Sequence, residues 1–484
     1  MDGQVGARTD ETSAGFAESE ARIAALLAAQ KAAWASDVTP DHTTRDDRLA
    51  RLDRMVDSWQ DRFVAAISED FGNRPAVVTT LTDIVPVRAA IRHARRQLRA
   101  WMRPQRVSLA WTGKPASAVI LRQPLGVVGI VGPWNYPLNL VLSPLIGALA
   151  AGNRALLKPS ELTPEFSEVL AKAIAETFAE EEVAVVTGGP DVAAAFTAAP
   201  FDHLVFTGST DVGRKVAEAA AKNLTPVTLE LGGKSPAILD ASAQFDKAVP
   251  RLVWGKLLNS GQTCVAPDYA LVPRGRVQDF LAAVKAEVGR QYPGLPANAD
   301  YTSIISARHF ARLTRLVEEA RDRGAEVIEL GGAHDPERRM FAPVAVVGAP
   351  DDAGVMCEEI FGPILPVVPY DTLDQAIAYI NQRDRPLALY WFGEDKAAQE
   401  RVLTGTIAGG VTVNDTILHL AQDDLPFGGV GASGYGAYHG EVGFLALSKE
   451  KPVLKQSAIS GVKLLYPPYG RLADWMLKLL GRIG

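Results

Sequence analysis

Gly126-Val127-Val128-Gly129-Ile130-Val131-Gly132 is a short β-branched run closed at both ends by glycine. Such a run is expected for a strand buried on both faces of a parallel sheet. The signal returns at Ala155-Leu156-Leu157-Lys158 and at Leu204-Val205-Phe206-Thr207, each followed by a helix-forming stretch. Strand, turn and helix in alternation give the pattern of a doubly wound α/β sheet.

Outward from this core, the stretch from Ala21 to about Arg103 is helical in pattern, rich in alanine and without strand alternation. Residues 1–19 are polar, small and aperiodic, so a disordered or loosely held arm is expected there. Downstream, a second α/β cycle runs from near Gly232 to about Val413. Its strands are expected at Pro236–Leu239, Tyr269–Val272, Ala325–Glu329 and Ile364–Pro369, with Ser306 capping a helix over 306–323. No linker of low complexity separates the two halves, which places the default site in the cleft between them.

A chain of 484 residues exceeds the size at which one core keeps growing, and two α/β domains satisfy that limit. The hydrophobic fraction is 47%, the charged fraction 22% and the formal net charge −6, so no electrostatic footprint for nucleic acid exists. Cys264 and Cys357 make no disulfide framework, and the start Met1-Asp2-Gly3-Gln4 lacks a secretory pattern. A reducing, cytoplasmic location is expected. No apolar run reaches the roughly 18 residues of a membrane span. In the tail, Leu472, Trp475, Met476, Leu479, Leu480 and Ile483 share one helical face while Arg471, Asp474, Lys478 and Arg482 lie largely opposite. The expected role is docking on its own subunit or a second copy, with weak membrane-surface contact as the alternative.

Chemistry concentrates at Gly261-Gln262-Thr263-Cys264-Val265-Ala266-Pro267. A thiol in this loop, downstream of the acidic segment Leu229-Glu230-Leu231-Gly232-Gly233-Lys234, reads as a nucleophile beside a carboxylate base acting on a carbonyl. Alone, the cysteine fits a packed core residue better than a nucleophile. Phe206-Thr207-Gly208-Ser209-Thr210-Asp211-Val212-Gly213 has the strand, turn and helix order of a dinucleotide site, though not the GxGxxG spacing. Its helix N-terminus and Ser209 suit a pyrophosphate; an ordinary βα turn is the alternative. No His, Cys, Asp or Glu cluster has the spacing of metal ligands, so no metal is expected.

Taken in order, these segments, with Gly129–Pro137 (including Trp134-Asn135-Tyr136-Pro137), Leu157-Lys158-Pro159-Ser160-Glu161, Glu358-Glu359-Ile360-Phe361-Gly362-Pro363 and Pro426-Phe427-Gly428-Gly429-Val430-Gly431, resemble the aldehyde dehydrogenases. The resemblance covers roughly residues 20 to 460. Cys264-Val265-Ala266-Pro267-Asp268-Tyr269 and Gly434-Tyr435-Gly436-Ala437-Tyr438-His439-Gly440 look most like the class 3, fatty-aldehyde and coniferyl-aldehyde branch.

The resemblance implies two doubly wound α/β domains plus a small bridging and oligomerisation element. It divides the chain into 20–231, helical lead-in and NAD-binding domain with a bridging hairpin about 112–124; 232–415, catalytic domain; 416–460, return to the cofactor domain and bridging element; and 461–484, amphipathic tail. It implies NAD-dependent oxidation of a hydrophobic or aromatic aldehyde to the acid through a thiohemiacetal and thioester on Cys264. Asn135 would donate to the oxyanion and Glu230 would activate water. Lys158 and Glu161 would hold the adenosine ribose, Gly208, Ser209 and Gly213 the pyrophosphate turn, and Glu359 and Phe361 the nicotinamide end. A carboxylate at Glu161 favours NAD over NADP, although class 3 relatives accept NADP. Trp134 and Tyr136 are expected to line the substrate tunnel, His439 to make a structural hydrogen bond, and the chain to form a homodimer. A cofactor-independent thiol esterase needs only Cys264, Glu230 and Asn135 and leaves the nucleotide motifs unexplained. A catalytically silent binding protein predicts substitutions at the chemical positions, where none is seen.

Overall fold

The computed structural model describes residues 3–110, 113–458, 460, 462–463 and 466–483, with side chains from residue 18 onward except at 479, 480, 482 and 483. A six-stranded sheet runs in the order Gly434–Tyr435, Val227–Leu231, His203–Gly208, Val127–Val131, Arg154–Lys158, Val183–Val185. All its pairings are parallel except at the Gly434–Tyr435 edge. Its central strands Val127–Val131 and Arg154–Lys158 are buried at every residue, as expected of strands covered on both faces. The helices His42–Phe71, Val85–Trp101, Asn139–Ala151 and Pro164–Thr177 cover one face, and Ile23, Leu26 and Leu27 join the core on the other.

A seven-stranded sheet follows, in the order Glu326–Glu329, Val344–Val347, Ile364–Tyr370, Tyr269–Pro273, Pro236–Leu239, Ala388–Phe392, Gly410–Val413. Only the Glu326–Glu329 edge is antiparallel. Ala388–Phe392, unexpected from the sequence, is buried throughout and sits between Pro236–Leu239 and Gly410–Val413. A third, antiparallel sheet joins Gln105–Val107, Ser117–Pro124 and Ser448–Lys455. Pairing is continuous from Ser448 opposite Pro124 to Lys455 opposite Ser117. Residue 112, included in the expected hairpin, lies outside the described residues.

Of the arm expected over 1–19, residues 1 and 2 lie outside the described residues. From Gly3 the backbone is helical to Ser36, because this alanine- and glutamate-rich stretch holds no proline to stop it. The tail is a helix over Arg471–Ile483. Leu472 and Trp475 are more than half exposed and Ala473 is buried, so part of the apolar face stays uncovered by its own subunit. The side chains of Leu479, Leu480, Arg482 and Ile483 lie outside the described residues. Among the described residues, no helix is long and apolar enough to cross a membrane.

These sheets position the site by their polarity. Lys158, Gly208 and Glu230 sit at or next to the carboxyl ends of strands in the six-stranded sheet. Cys264 and Glu359 lie in loops that enter the amino ends of Tyr269–Pro273 and Ile364–Tyr370. A crevice outside the carboxyl ends of a doubly wound sheet is where ligands bind.

Candidate active site

The loop that carries Cys264 leaves the helix Phe245–Leu257 through a tight turn over Leu258–Gly261. Asn259, Ser260 and Gly261 are consecutively left-handed, with φ of 53°, 55° and 75°. The two non-glycine residues cost on the order of 1–3 kcal/mol each. That conformation is held by the fully buried Gln262. Its amide nitrogen donates to the carbonyls of Asn259 and Ser303, both at 3.0 Å, and its oxygen accepts from Ile305 N at 2.9 Å. Gly261 passes so close to the next loop that a Cβ would stand 2.4 Å from Gly362 O.

Cys264 keeps partial exposure, and desolvation pushes its thiol up to about 12, with the carboxylates of Glu359 and Glu230 adding to the rise. Asn135 is buried beneath it and donates from its side-chain amide to Gln262 O at 3.2 Å. The Asn135 carbonyl in turn accepts from Asn259 Nδ2 at 3.1 Å. Glu230 is 2% exposed and neither carboxylate oxygen has a hydrogen-bond partner among the described residues. Burial alone raises its pKa well above the ordinary range. Lys234, four residues on, pairs with Asp268 instead.

That Lys234–Asp268 pair is a staple for the loop holding Glu359. Lys234 Nζ also donates to the carbonyls of Val355 and Glu358, both at 2.9 Å, while Asp268 Oδ1 accepts from Ile360 N at 2.9 Å. Arg312 donates to Glu359 O at 3.2 Å. The Glu359 carboxylate lies against Gly232, where a Cβ would meet Oε2 at 2.0 Å, so a side chain there would expel it. Burial raises Glu359 to about 8. Phe361, at φ 50°, turns its ring edge-on to Trp134 at 5.3 Å.

Across the crevice, Lys158 is 1% exposed, donates to Pro159 O at 2.9 Å and stands 3.7 Å from the exposed Glu161 carboxylate. Desolvation lowers the Lys158 pKa. Ser209 caps the helix Thr210–Ala221, accepting from Val212 N at 3.4 Å. Gly213 lets that helix close on the sheet, since a Cβ would fall 2.6 Å from Leu231 Cδ2. Gly208 lies just before the cap, folded over the Phe206 ring. A helix N-terminus after a strand, an acceptor beside a buried lysine, and an unpartnered Glu359 Oε1 fit the pyrophosphate, ribose and nicotinamide parts of a dinucleotide.

Two expectations need correction. Tyr136 is buried and its hydroxyl bonds Thr263 Oγ1, so it props the Cys264 loop instead of presenting a tunnel wall. His439 stacks on Phe427 at 5.2 Å and meets Tyr438 edge-on at 4.9 Å, so aromatic contact replaces the expected structural hydrogen bond. Trp134 stays partly buried between Phe361, His309 and Phe71. Sequence reasoning missed Asn259, Gln262, Asp268 and Arg312. The signal available was the polarity of Asn259 and Gln262 inside a segment otherwise fit for burial.

The aldehyde dehydrogenase family model matches residues 6–453. A probable coniferyl aldehyde dehydrogenase of Pseudomonas aeruginosa is 49% identical over 93% of this chain and 94% of its own. A substrate-bound structure of Staphylococcus aureus AldH is 39% identical, with a TM-score of 0.90 over 95% of this chain and 99% of that one. A Mycobacterium tuberculosis aldehyde dehydrogenase complexed with NAD+ is 30% identical, with a TM-score of 0.82 and 91% of each chain covered. The match spans both α/β sheets and every segment that meets at Cys264, and the chain belongs to the aldehyde dehydrogenase family.

Proposed function

We propose that this chain oxidises hydrophobic or aromatic aldehydes, coniferyl aldehyde among them, to carboxylic acids with NAD. The observation that carries the reading is a partly exposed Cys264 thiol beside a buried Glu230 whose two oxygens have no partner among the described residues. A carboxyl raised by burial is suited to hold and release a proton near neutrality.

Cys264 Sγ bonds the aldehyde carbon once its proton has passed to solvent water, and the carbonyl oxygen takes the negative charge. Asn135 Nδ2 and the Cys264 backbone N–H are the donors for that oxygen. When bound, NAD accepts the hydride that leaves the tetrahedral carbon. Glu359 and Phe361 orient the nicotinamide end, while Lys158 and Glu161 hold the adenosine ribose. Glu230 then takes a proton from water as its oxygen attacks the thioester carbon, and the acid leaves as the sulfur regains a proton.

The substrate class is supported by the P. aeruginosa relative. Use of NAD is supported by the M. tuberculosis neighbour and by the carboxylate at Glu161. We further infer a reducing, cytoplasmic setting from two free cysteines. A homodimer is inferred from the small bridging sheet of Ser117–Pro124 and Ser448–Lys455. The uncovered Leu472 and Trp475 support docking of the tail on a second copy, with weak membrane-surface contact as the alternative. The test is NADH formation on mixing protein, NAD and cinnamyl-type or medium-chain aldehydes. Ester cleavage without NADH would instead favour the thiol esterase, and no turnover with no nucleotide binding a silent protein.

A further inference from the structure

Behind Asn135 lies an ion pair that the chemistry above does not use. Arg74 and Asp83 are both completely buried, with Arg74 donating to Asp83 Oδ2 at 2.6 Å. Arg74 enters from Asn73-Arg74-Pro75, just after the helix His42–Phe71 and its left-handed Gly72 cap. Asp83 lies in a π-helical turn over Thr80–Ile84, inside a stretch that otherwise reads as continuous α-helix. Wide turns of this kind are frequent at functional sites.

The pair reaches both flanks of Asn135. Arg74 donates to the Asn135 carbonyl at 2.7 Å, and its guanidinium stacks 5.1 Å from the Tyr136 ring, whose hydroxyl holds Thr263. Asp83 Oδ1 accepts from the backbone of Leu138 and Asn139, each at 3.2 Å, and so caps a helix that has no side-chain cap of its own. Residues 135 to 139 are therefore clamped at both ends by one buried pair. The side-chain amide between those clamps points to Gln262 O, two residues before the thiol. A buried pair of this kind contributes little net stability, and its use is geometric.

We propose that Arg74 and Asp83 are positioning residues that hold the Asn135 amide at the height the thiohemiacetal oxyanion requires. The inference rests on the reading of Asn135 as oxyanion donor. Single-turnover NADH formation and NAD dissociation constants are to be measured for Arg74→Met, Arg74→Lys and Asp83→Asn, each alone and combined with Asn135→Ala. Displacement of a reacting group by about 1 Å costs on the order of 100-fold, so Arg74→Met should slow the turnover by roughly that factor. Arg74→Lys should recover part of it, NAD binding should stay within a few-fold, and neither change should slow Asn135→Ala further. If the losses multiply in the Asn135→Ala background, or if both Arg74 variants keep the full rate, the positioning role is overturned while the donor reading stands. If Asn135→Ala itself keeps the full rate, the donor reading falls and takes this inference with it. Should Arg74→Met fail to fold, Arg74→Lys and Asp83→Asn decide by the same cycle.

Discussion

The two ends of the crevice are built on opposite principles. Around Cys264 the ionisable groups are withdrawn from water and held near their neutral forms: the thiol is pushed up to about 12, Glu359 to about 8, and Glu230 rises with no partner at either oxygen among the described residues. At the adenosine end, Glu161 stays exposed beside Lys158, and Ser209 spends its hydroxyl on an ordinary helix cap. Groups that change bonds or protons gain from a dry setting, where a small change in charge alters their reactivity greatly. At the adenosine end the exposed groups are Glu161 and Ser209, while Lys158 is itself buried, its pKa lowered by desolvation. Substitutions at the first end should therefore act on rate, and those at the second on affinity.

Cys264→Ala gives the largest separation between the two ends. Oxidation should vanish while the NAD dissociation constant changes within a few-fold, measured by quenching of protein fluorescence on titration. Loss of nucleotide binding together with activity would mean that the two ends are not independent.

Glu230→Gln comes next, at about 10²–10⁴-fold in turnover, the usual contribution of a positioned general base. NADH should still form in a first turnover, and the acyl group should then remain on Cys264, seen as added mass on the intact protein. The sign of the pH dependence follows from burial. Because the folded carboxyl binds its proton more tightly than the ordinary value of 4.5, deacylation should climb as pH rises through that elevated pKa. The glutamine variant should lose this limb. A first turnover slowed as much as the steady state would remove Glu230 from the deacylation step.

How much of this was legible depends on whether each signal was local. The strands Pro236–Leu239 and Tyr269–Pro273 announce themselves by short apolar runs, and Ser306 by its cap, which accepts from His309 N. Ala388–Phe392 is as apolar as they are, yet its place beside Pro236–Leu239 depends on pairing across some 150 residues, which no local pattern encodes. The motifs likewise supplied Cys264, Glu230, Asn135 and Glu359 but not what holds them. Arg74 and Asp83 both fall in a stretch that reads only as helical, because only the folded core takes both from water. Tyr136 was misjudged for the same reason: an aromatic after a glycine turn carries no sign of which way its hydroxyl faces.

Glu161→Gln tests the wet end and should have the smallest effect. The carboxylate is well exposed and 3.7 Å from Lys158 Nζ, so its field is screened by water. At that separation in water, unit charges interact by only about 1 kcal/mol. Replacing it by an amide removes an acceptor for the 2′-hydroxyl and the repulsion toward a 2′-phosphate. The ratio of kcat/KM for NAD over NADP should fall by roughly fivefold to tenfold, in keeping with about 1 kcal/mol of altered interaction. The single-turnover rate at saturating NAD should stay unchanged, because in the proposed reading Glu161 holds the ribose and the hydride leaves the carbon bound to Cys264. A fall in that rate would show that a change at the ribose displaces the nicotinamide ring, and the division between a reacting end and a holding end would then fail.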